Sequence, residues 1–396
     1  MPESVGHSSQ RVLLDAAPWA TVFDMPRRFV LFGATGYTGR ITAEALTRAG
    51  MAPVLAGRSA EALQALVGDL AAIAPVDAAP SWQVADINDP ASVRDLLTSS
   101  DDVLISTVGP FSLIGAPAVT AAVDAGCVYL DSTGEGAFIR RVFEEYGPRA
   151  EATGARLLTA FGYDFVPGNL AAAIALDRSE GLARRVEIGY FVRGGFGMSS
   201  GTKASMMAAV MQSSYEFTGG VLSTTKGKPG VATFDIGNDK TRDAVAVGAT
   251  EQFSLPRIDP TLDDVSVYLG WSGSMSGAAS AGIAAAATAA KVPGVGSTTL
   301  EMLTKKAQEN TGEGPSAAER VQAISIIVAR TIDGVGRELQ SVRVEGPNGY
   351  DLTADLLSWG AAMSDRIEGA GAFGPVDAFG LPALIEGCAL MGLREV

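Results

Sequence analysis

Short apolar runs and helically spaced apolar stripes take turns along the first half of the chain. Residues 29–32 (FVLF) form an unbroken apolar run, as a strand buried on both faces of a parallel sheet presents. From Thr38 onward Ile41, Ala45, Leu46 and Ala49 recur at helical spacing, and Gly50 ends them. The alternation then repeats. Strands are predicted at 53–56, 82–85, 103–107, 127–130 and 157–160. Between them, helices are signalled by Ser59 as a cap, by Asp89-Pro90, and by residues 116–125 closed by Gly126. This βα alternation specifies an α/β fold, a Rossmann-type doubly wound parallel sheet whose ligands lie at the carboxyl ends of its strands.

Beyond residue 180 the period changes. Segments 186–192 (VEIGYFV), 231–236 (VATFDI) and 265–269 (VSVYL) read as strands without helices between each pair. Residues 322–331 and 338–344 flank Ile332-Asp333-Gly334-Val335-Gly336 as an antiparallel hairpin, and 205–217 (SMMAAVMQSSYEF) reads as a helix. The pattern therefore predicts four parts. Residues 1–26 form an extension, 27–175 the parallel-sheet domain, 176–365 a mixed α/β domain with an antiparallel sheet, and 366–396 a segment returning to the first domain. Leu381, Leu384, Ile385, Ala389 and Leu390 place a helix in that last segment.

Composition narrows the chemistry. A formal charge of −14 argues against a nucleic-acid surface. The two cysteines, Cys127 and Cys388, support neither a disulfide framework nor a metal site. A lone histidine, His7, lies in the N-terminal extension, so a histidine base within the folded body is excluded. Residues 1–26 carry Glu3, Asp15 and Asp24 and lack a basic start followed by an apolar core, so a cytoplasmic location is expected. No integral membrane span is expected either. Residues 277–290 (GAASAGIAAAATAA) are the nearest approach, and an alanine-rich helix or a peripheral lipid contact are their two readings.

Gly33, Gly36 and Gly39 follow the first strand three residues apart, in GATGYTGR. A strand, a glycine turn and a helix together suit phosphate, because glycine admits close backbone approach and the first helical N–H groups lack internal partners. No Gly-Lys-Ser/Thr follows, which excludes a nucleoside-triphosphate loop and leaves a dinucleotide, or a tight turn with nothing bound, as the readings. Thr35, Tyr37, Thr38 and Arg40 belong to the same cradle. At the end of the second strand Arg58 and Ser59 stand where an NAD site places an acid for the ribose hydroxyl. A cation and a hydroxyl there favour a 2′-phosphate, hence NADPH, the alternative being an ordinary surface arginine. Asp86 is placed either to accept from the adenine amino group or simply to start a turn towards Asp89. Ser106, Thr107, Val108, Gly109 and Pro110 close the fourth strand, as a loop beside the nicotinamide end or as a rigid connection without contact.

Five motifs in order, GATGYTGR, LAGR, STVGPF, YLDSTGE and FGYDFVPGNL, resemble the saccharopine dehydrogenase-like oxidoreductases, in particular the branch of trans-acting enoyl reductases. The likeness is dense over residues 27–175 and thinner at SSGTKAS and GPVDAFG. It implies an N-terminal dinucleotide-binding domain, a substrate domain, NADPH-dependent reduction and homodimerisation. With no histidine available, Tyr163, Asp164 and Lys203 are the candidate proton donors. Their plain alternatives are packing for Tyr163, helix capping for Asp164 or Asn169, and solvation for Lys203. Met198, Met206, Met207 and Met211, with Tyr215 and Phe217, suggest either core or an adaptable apolar pocket. The leading expectation is reduction of a conjugated C=C bond in a bulky apolar lipid, polyketide or specialised metabolite. Reduction of C=N, or cofactor binding without turnover, are its rivals.

Overall fold

The computed structural model describes residues 27–270 and 313–396, except 77, 195, 196, 211, 213, 226 and 227. Six strands build most of the first sheet: β1 (Phe29–Phe32), β2 (Val54–Gly57), β3 (Ser81–Val84), β4 (Val103–Ser106), β5 (Val128–Asp131) and β6 (Arg156–Leu158). All pair in parallel, and β1, β4 and β5 are buried along their whole length. That double burial is why their sequences are apolar without alternation. The edge strand β3 instead leaves Trp82 and Val84 exposed.

The second sheet takes β7 (Arg185–Arg193), β8 (Tyr215–Thr218), β9 (Val221–Thr224), β10 (Val231–Asp235), β11 (Thr241–Val247), β12 (Asp264–Leu269), β13 (Ile324–Ile332) and β14 (Glu338–Gly346). It is mixed. Strands β12 and β7 run parallel, while β13 pairs antiparallel with both β7 and β14. Two short strands divide the chain's end between the sheets: β15 (Gly371–Ala372) extends the first beside β6, and β16 (Arg394–Glu395) pairs with β14 in the second.

The predicted helix over 205–217 is corrected. The helix spans Ser200–Val210, and Tyr215–Thr218 forms β8, where buried Tyr215 and Phe217 alternate with exposed Glu216 and Thr218. A period of two over four residues is weak against the helical stripe before it, which is why the strand was hidden. Residues 277–290 lie outside the described residues, as do 1–26 and Met211.

A helix that the sequence pattern left unremarked closes the first layer. Gly349–Ala362 is buried on most of its surface and packs against the helix Tyr37–Arg48 and strands β4 and β5. Burial on most of its surface leaves no clear apolar stripe, so periodicity does not single it out. Its effect is functional, because it supports from behind the helix whose N-terminus faces the cleft described next.

Candidate active site

The glycine spacing has two distinct causes. Gly33 leaves β1 at φ +90°, where a side chain is strained, and a Cβ there would stand 2.8 Å from both Thr107 Oγ1 and Val108 Cγ2. Gly39 has ordinary helical backbone but lies against the turn, so its Cβ would fall 2.1 Å from the Gly33 carbonyl oxygen. The N–H of Gly36 donates to that same carbonyl at 3.0 Å and closes the loop. Thr107 Oγ1 reaches the Phe32 and Gly33 carbonyl oxygens at 3.3 and 3.2 Å, which ties the end of β4 to the glycine turn. The helix from Tyr37 then presents its unpartnered first N–H groups to the cleft.

This cleft has a volume of about 390 Å³ and lies between the carboxyl edge of the first sheet and the second sheet. Gly33, Thr35, Gly36, Tyr37, Thr38, Arg58, Thr107, Val108 and Gly109 line one side. The other side is formed by Thr202, Ser205, Met206 and Ala209 of the helix Ser200–Val210, by residues 245–248, and by Leu269. Arg58 is exposed at the rim, while Ser59 caps the following helix by accepting from the Ala62 N–H at 3.2 Å. Arg40 is not among the lining residues, and its side chain donates to the Thr35 carbonyl at 3.2 Å. Asp86 Oδ1 accepts from the Asn88 N–H and side-chain amide, each at 2.9 Å, the turn alternative; its neighbour Ile87 lines the cleft instead.

The three candidate donors separate clearly. Lys203 is exposed and absent from the cleft lining. Tyr163 is buried, its hydroxyl donates to the Phe191 carbonyl at 3.3 Å, and it borders a smaller adjoining cavity rather than the cleft. Asp164 borders both spaces. Its Oδ1 is buried with no hydrogen-bond partner among the described residues, and burial alone pushes its carboxyl up to about 7. Neither Asp164 nor Asn169 caps the helix Val166–Arg178: the Asn169 amide donates to the Phe165 carbonyl and Thr250 Oγ1 from inside it. Of the methionines, Met206 lines the cleft, whereas Tyr215 and Phe217 belong to the core.

Several supporting residues carry no periodic signal, although Asp131 and Glu135 lie within the YLDSTGE motif. Glu135 is buried, and its carboxylate accepts from the N–H groups of Phe111 and Ser112 at 2.7 and 2.9 Å, fixing the loop after Pro110. Asp131 accepts from Thr133 N–H, Thr159 hydroxyl and Ala160 N–H, which holds β5 to β6; burial still pushes it up to about 6. Ser132 and Gly134 lie in the cleft lining between these two acids, and a Cβ at Gly134 would stand 2.7 Å from Asp164 Oδ2. Behind Asp164 lies Glu251, buried, pushed up to about 8 chiefly by burial and bonded to the Tyr190 hydroxyl at 2.7 Å. Glu135→Ala strips two buried N–H groups of their acceptor. It should cost about 2–4 kcal/mol, a clear drop in midpoint by thermal melting, while Glu135→Gln should lose less. An unchanged midpoint in Glu135→Ala would count against the clamp.

No family model matches the chain. A protein of Mycobacterium tuberculosis named as a trans-acting enoyl reductase is 37% identical over 200 residues, covering 48% of this chain and 46% of that protein. The trans-acting enoyl reductase of Mycobacterium ulcerans is 39% identical over 147 residues, 36% of this chain and 33% of that one. The chain thus spans less than half the length of these curated relatives in the matched region. Among solved structures, apo saccharopine dehydrogenase (L-Glu forming) of Saccharomyces cerevisiae superposes with a TM-score of 0.52 at 12% identity, over 93% of this chain and 99% of that one. That likeness is one of fold. Among the described residues no helix is long and apolar enough to cross a membrane, and no group of three His, Cys, Asp or Glu is placed to hold a metal ion.

Proposed function

We propose that this relative of the trans-acting enoyl reductases is an NADPH-dependent reductase of a conjugated C=C bond in a bulky, apolar substrate. The observation that carries the reading is the placement of Asp164, whose Oδ1 has no hydrogen-bond partner among the described residues, in the lining of a cleft whose near wall is the glycine loop. The residues fit a dinucleotide. The loop from Gly33 to Thr38 would hold the pyrophosphate against the helix start, Arg58 and Ser59 the 2′-phosphate, and Thr107 to Pro110 would flank the nicotinamide end. When bound, the nicotinamide supplies the two electrons of reduction.

The chain's own part is to position, to shelter and to provide a proton. Asp164 keeps its proton near neutral pH because its charged form is desolvated, so it can act as the general acid. Ser132 and Thr202 line the same cleft and offer hydroxyl donors to an acceptor carbonyl. Phe111, Ile114, Met206, Ala209, Val247 and Leu269 make the remaining surface apolar. Among the described lining residues the one cation is Arg58, at the cofactor end, so a dicarboxylate amino acid finds no fixed positive partner deeper in the cleft. Tyr163, turned to the Phe191 carbonyl, has a positioning role, and no catalytic role is given to Lys203.

Calorimetric titration with NADPH and NADH tests the reading. NADPH should bind the wild type more tightly, and Arg58→Ala should weaken NADPH by about 10–100-fold while NADH changes by less than about twofold. A panel of enoyl thioesters, enones and cyclic imines with deuterated NADPH then identifies the bond reduced. Deuterium arriving only in the imine products would overturn the C=C assignment, and binding of neither cofactor would overturn the enzyme.

A further inference from the structure

Beside the cleft lies a second space of about 100 Å³, room for several waters. The two share Thr38, Ser132, Asp164 and Thr202 as a common wall. The smaller chamber is also lined by Asn348, Tyr350, Thr353, Arg320 and Glu319, the last an exposed residue. Its lining therefore holds both a buried carboxyl and a residue that reaches solvent, with polar side chains among the rest. Tyr350 anchors this wall by accepting from the Ser199 N–H at 2.7 Å and sharing a hydrogen bond with the Thr202 hydroxyl at 3.0 Å.

We propose that the side chamber is a water conduit that reprotonates Asp164 while the main cleft is filled. The inference rests on the role of Asp164 as proton donor. Each turnover removes one proton from the carboxyl and leaves a carboxylate. Cofactor and substrate then occupy the cleft and block the direct route to solvent. A hydronium at the inner end of the water file returns the proton, the carboxylate becoming carboxyl and the hydronium becoming water, so one solvent proton is consumed per cycle. The unpartnered Oδ1 of Asp164 is where such a file would end, since a buried acceptor without a protein partner is a site for ordered water. The groups near Asp164 do not replace this route. Glu251 is buried and bonded to Tyr190, and Tyr163, which borders the chamber, has its hydroxyl turned to the Phe191 carbonyl.

Two substitutions fill the chamber without touching the cleft lining: Val192→Phe, half-buried on β7, and Ala323→Leu. The measurement is infrared detection of the Asp164 carboxyl band, assigned by its loss in Asp164→Asn, after a pH jump from 5 to 8 in the full-length protein saturated with NADP+. Either filled variant should lose its proton at least about tenfold more slowly than wild type with NADP+ bound, and at nearly the wild-type rate without it. Equal rates in wild type and both variants with NADP+ bound would overturn the conduit. So would slowing of the same size without the cofactor, which would mean a general effect on burial. Steady-state turnover of trans-2-octenoyl-N-acetylcysteamine separates the two ideas. Filled variants that raise KM and leave kcat unchanged would make the chamber a substrate subsite. Asp164→Asn without effect on the first turnover would remove the parent reading instead.

Discussion

Asp164→Asn should lower kcat for the enoyl or enone substrate by about 10²–10³-fold, with NADPH affinity changed by less than about twofold. Asparagine keeps the size and one acceptor at a position close against Gly134, so the loss would report the proton and not the packing. The wild-type rate should be highest below pH 7 and fall as pH rises through about 7, the value to which burial pushes this carboxyl, because the acid form is the active one. In the variant that limb should vanish. Stability should respond in a linked way. A carboxyl whose folded value lies above the unfolded one binds a proton in the native state that the unfolded chain has already released. Its contribution is most favourable at low pH and is lost between pH 4 and 7. Asp164→Asn should therefore gain stability over wild type at pH 8 relative to pH 5, measured by denaturant melts at both. A kcat within about threefold of wild type across this range would remove Asp164 as the acid.

Much of the first sheet was legible because burial on both faces writes itself as unbroken apolar runs. FVLF and VLIS are strands for the same reason that they are apolar. Caps were equally plain, as Ser59 and the Asp89-Pro90 pair show by occupying the N-terminal positions their chemistry suits. The resemblance drawn from the five motifs is borne out by the Mycobacterium relatives. What pattern reading missed is tertiary. Glu135, Asp131 and Glu251 acquire their roles from partners 23 to 61 positions away or from burial, and no local periodicity marks such a residue. Asp86 had two readings, a base contact and a turn, and its Oδ1 accepts from an asparagine two residues on, as the turn requires. The helix Gly349–Ala362 escaped notice because burial on most of its surface leaves no clear apolar stripe, and its position behind the glycine-loop helix explains that burial.

Gly39→Ala should abolish most cofactor binding, by about 100-fold or more, although alanine is the better helix former. The added methyl would sit 2.1 Å from the Gly33 carbonyl oxygen, a backbone atom, so either the turn after β1 or the helix start must move. Neither has slack. Gly33 is held by its bond to the Ala56 carbonyl and by Thr107, and the helix is backed by Gly349–Ala362. Overpacking of this kind costs about 1–3 kcal/mol, so a lower melting point should accompany the lost affinity. Gly68→Ala provides the matched control. Nothing lies within 4 Å of a Cβ at that helical position, and the change should stabilise by about 0.5–1 kcal/mol without altering the NADPH titration. The contrast isolates geometry from propensity, because the same substitution in two helices is predicted to have opposite signs. If Gly39→Ala folded and bound NADPH like wild type, the loop would not be where the pyrophosphate rests, and the cofactor would have to be sought elsewhere along the sheet edge.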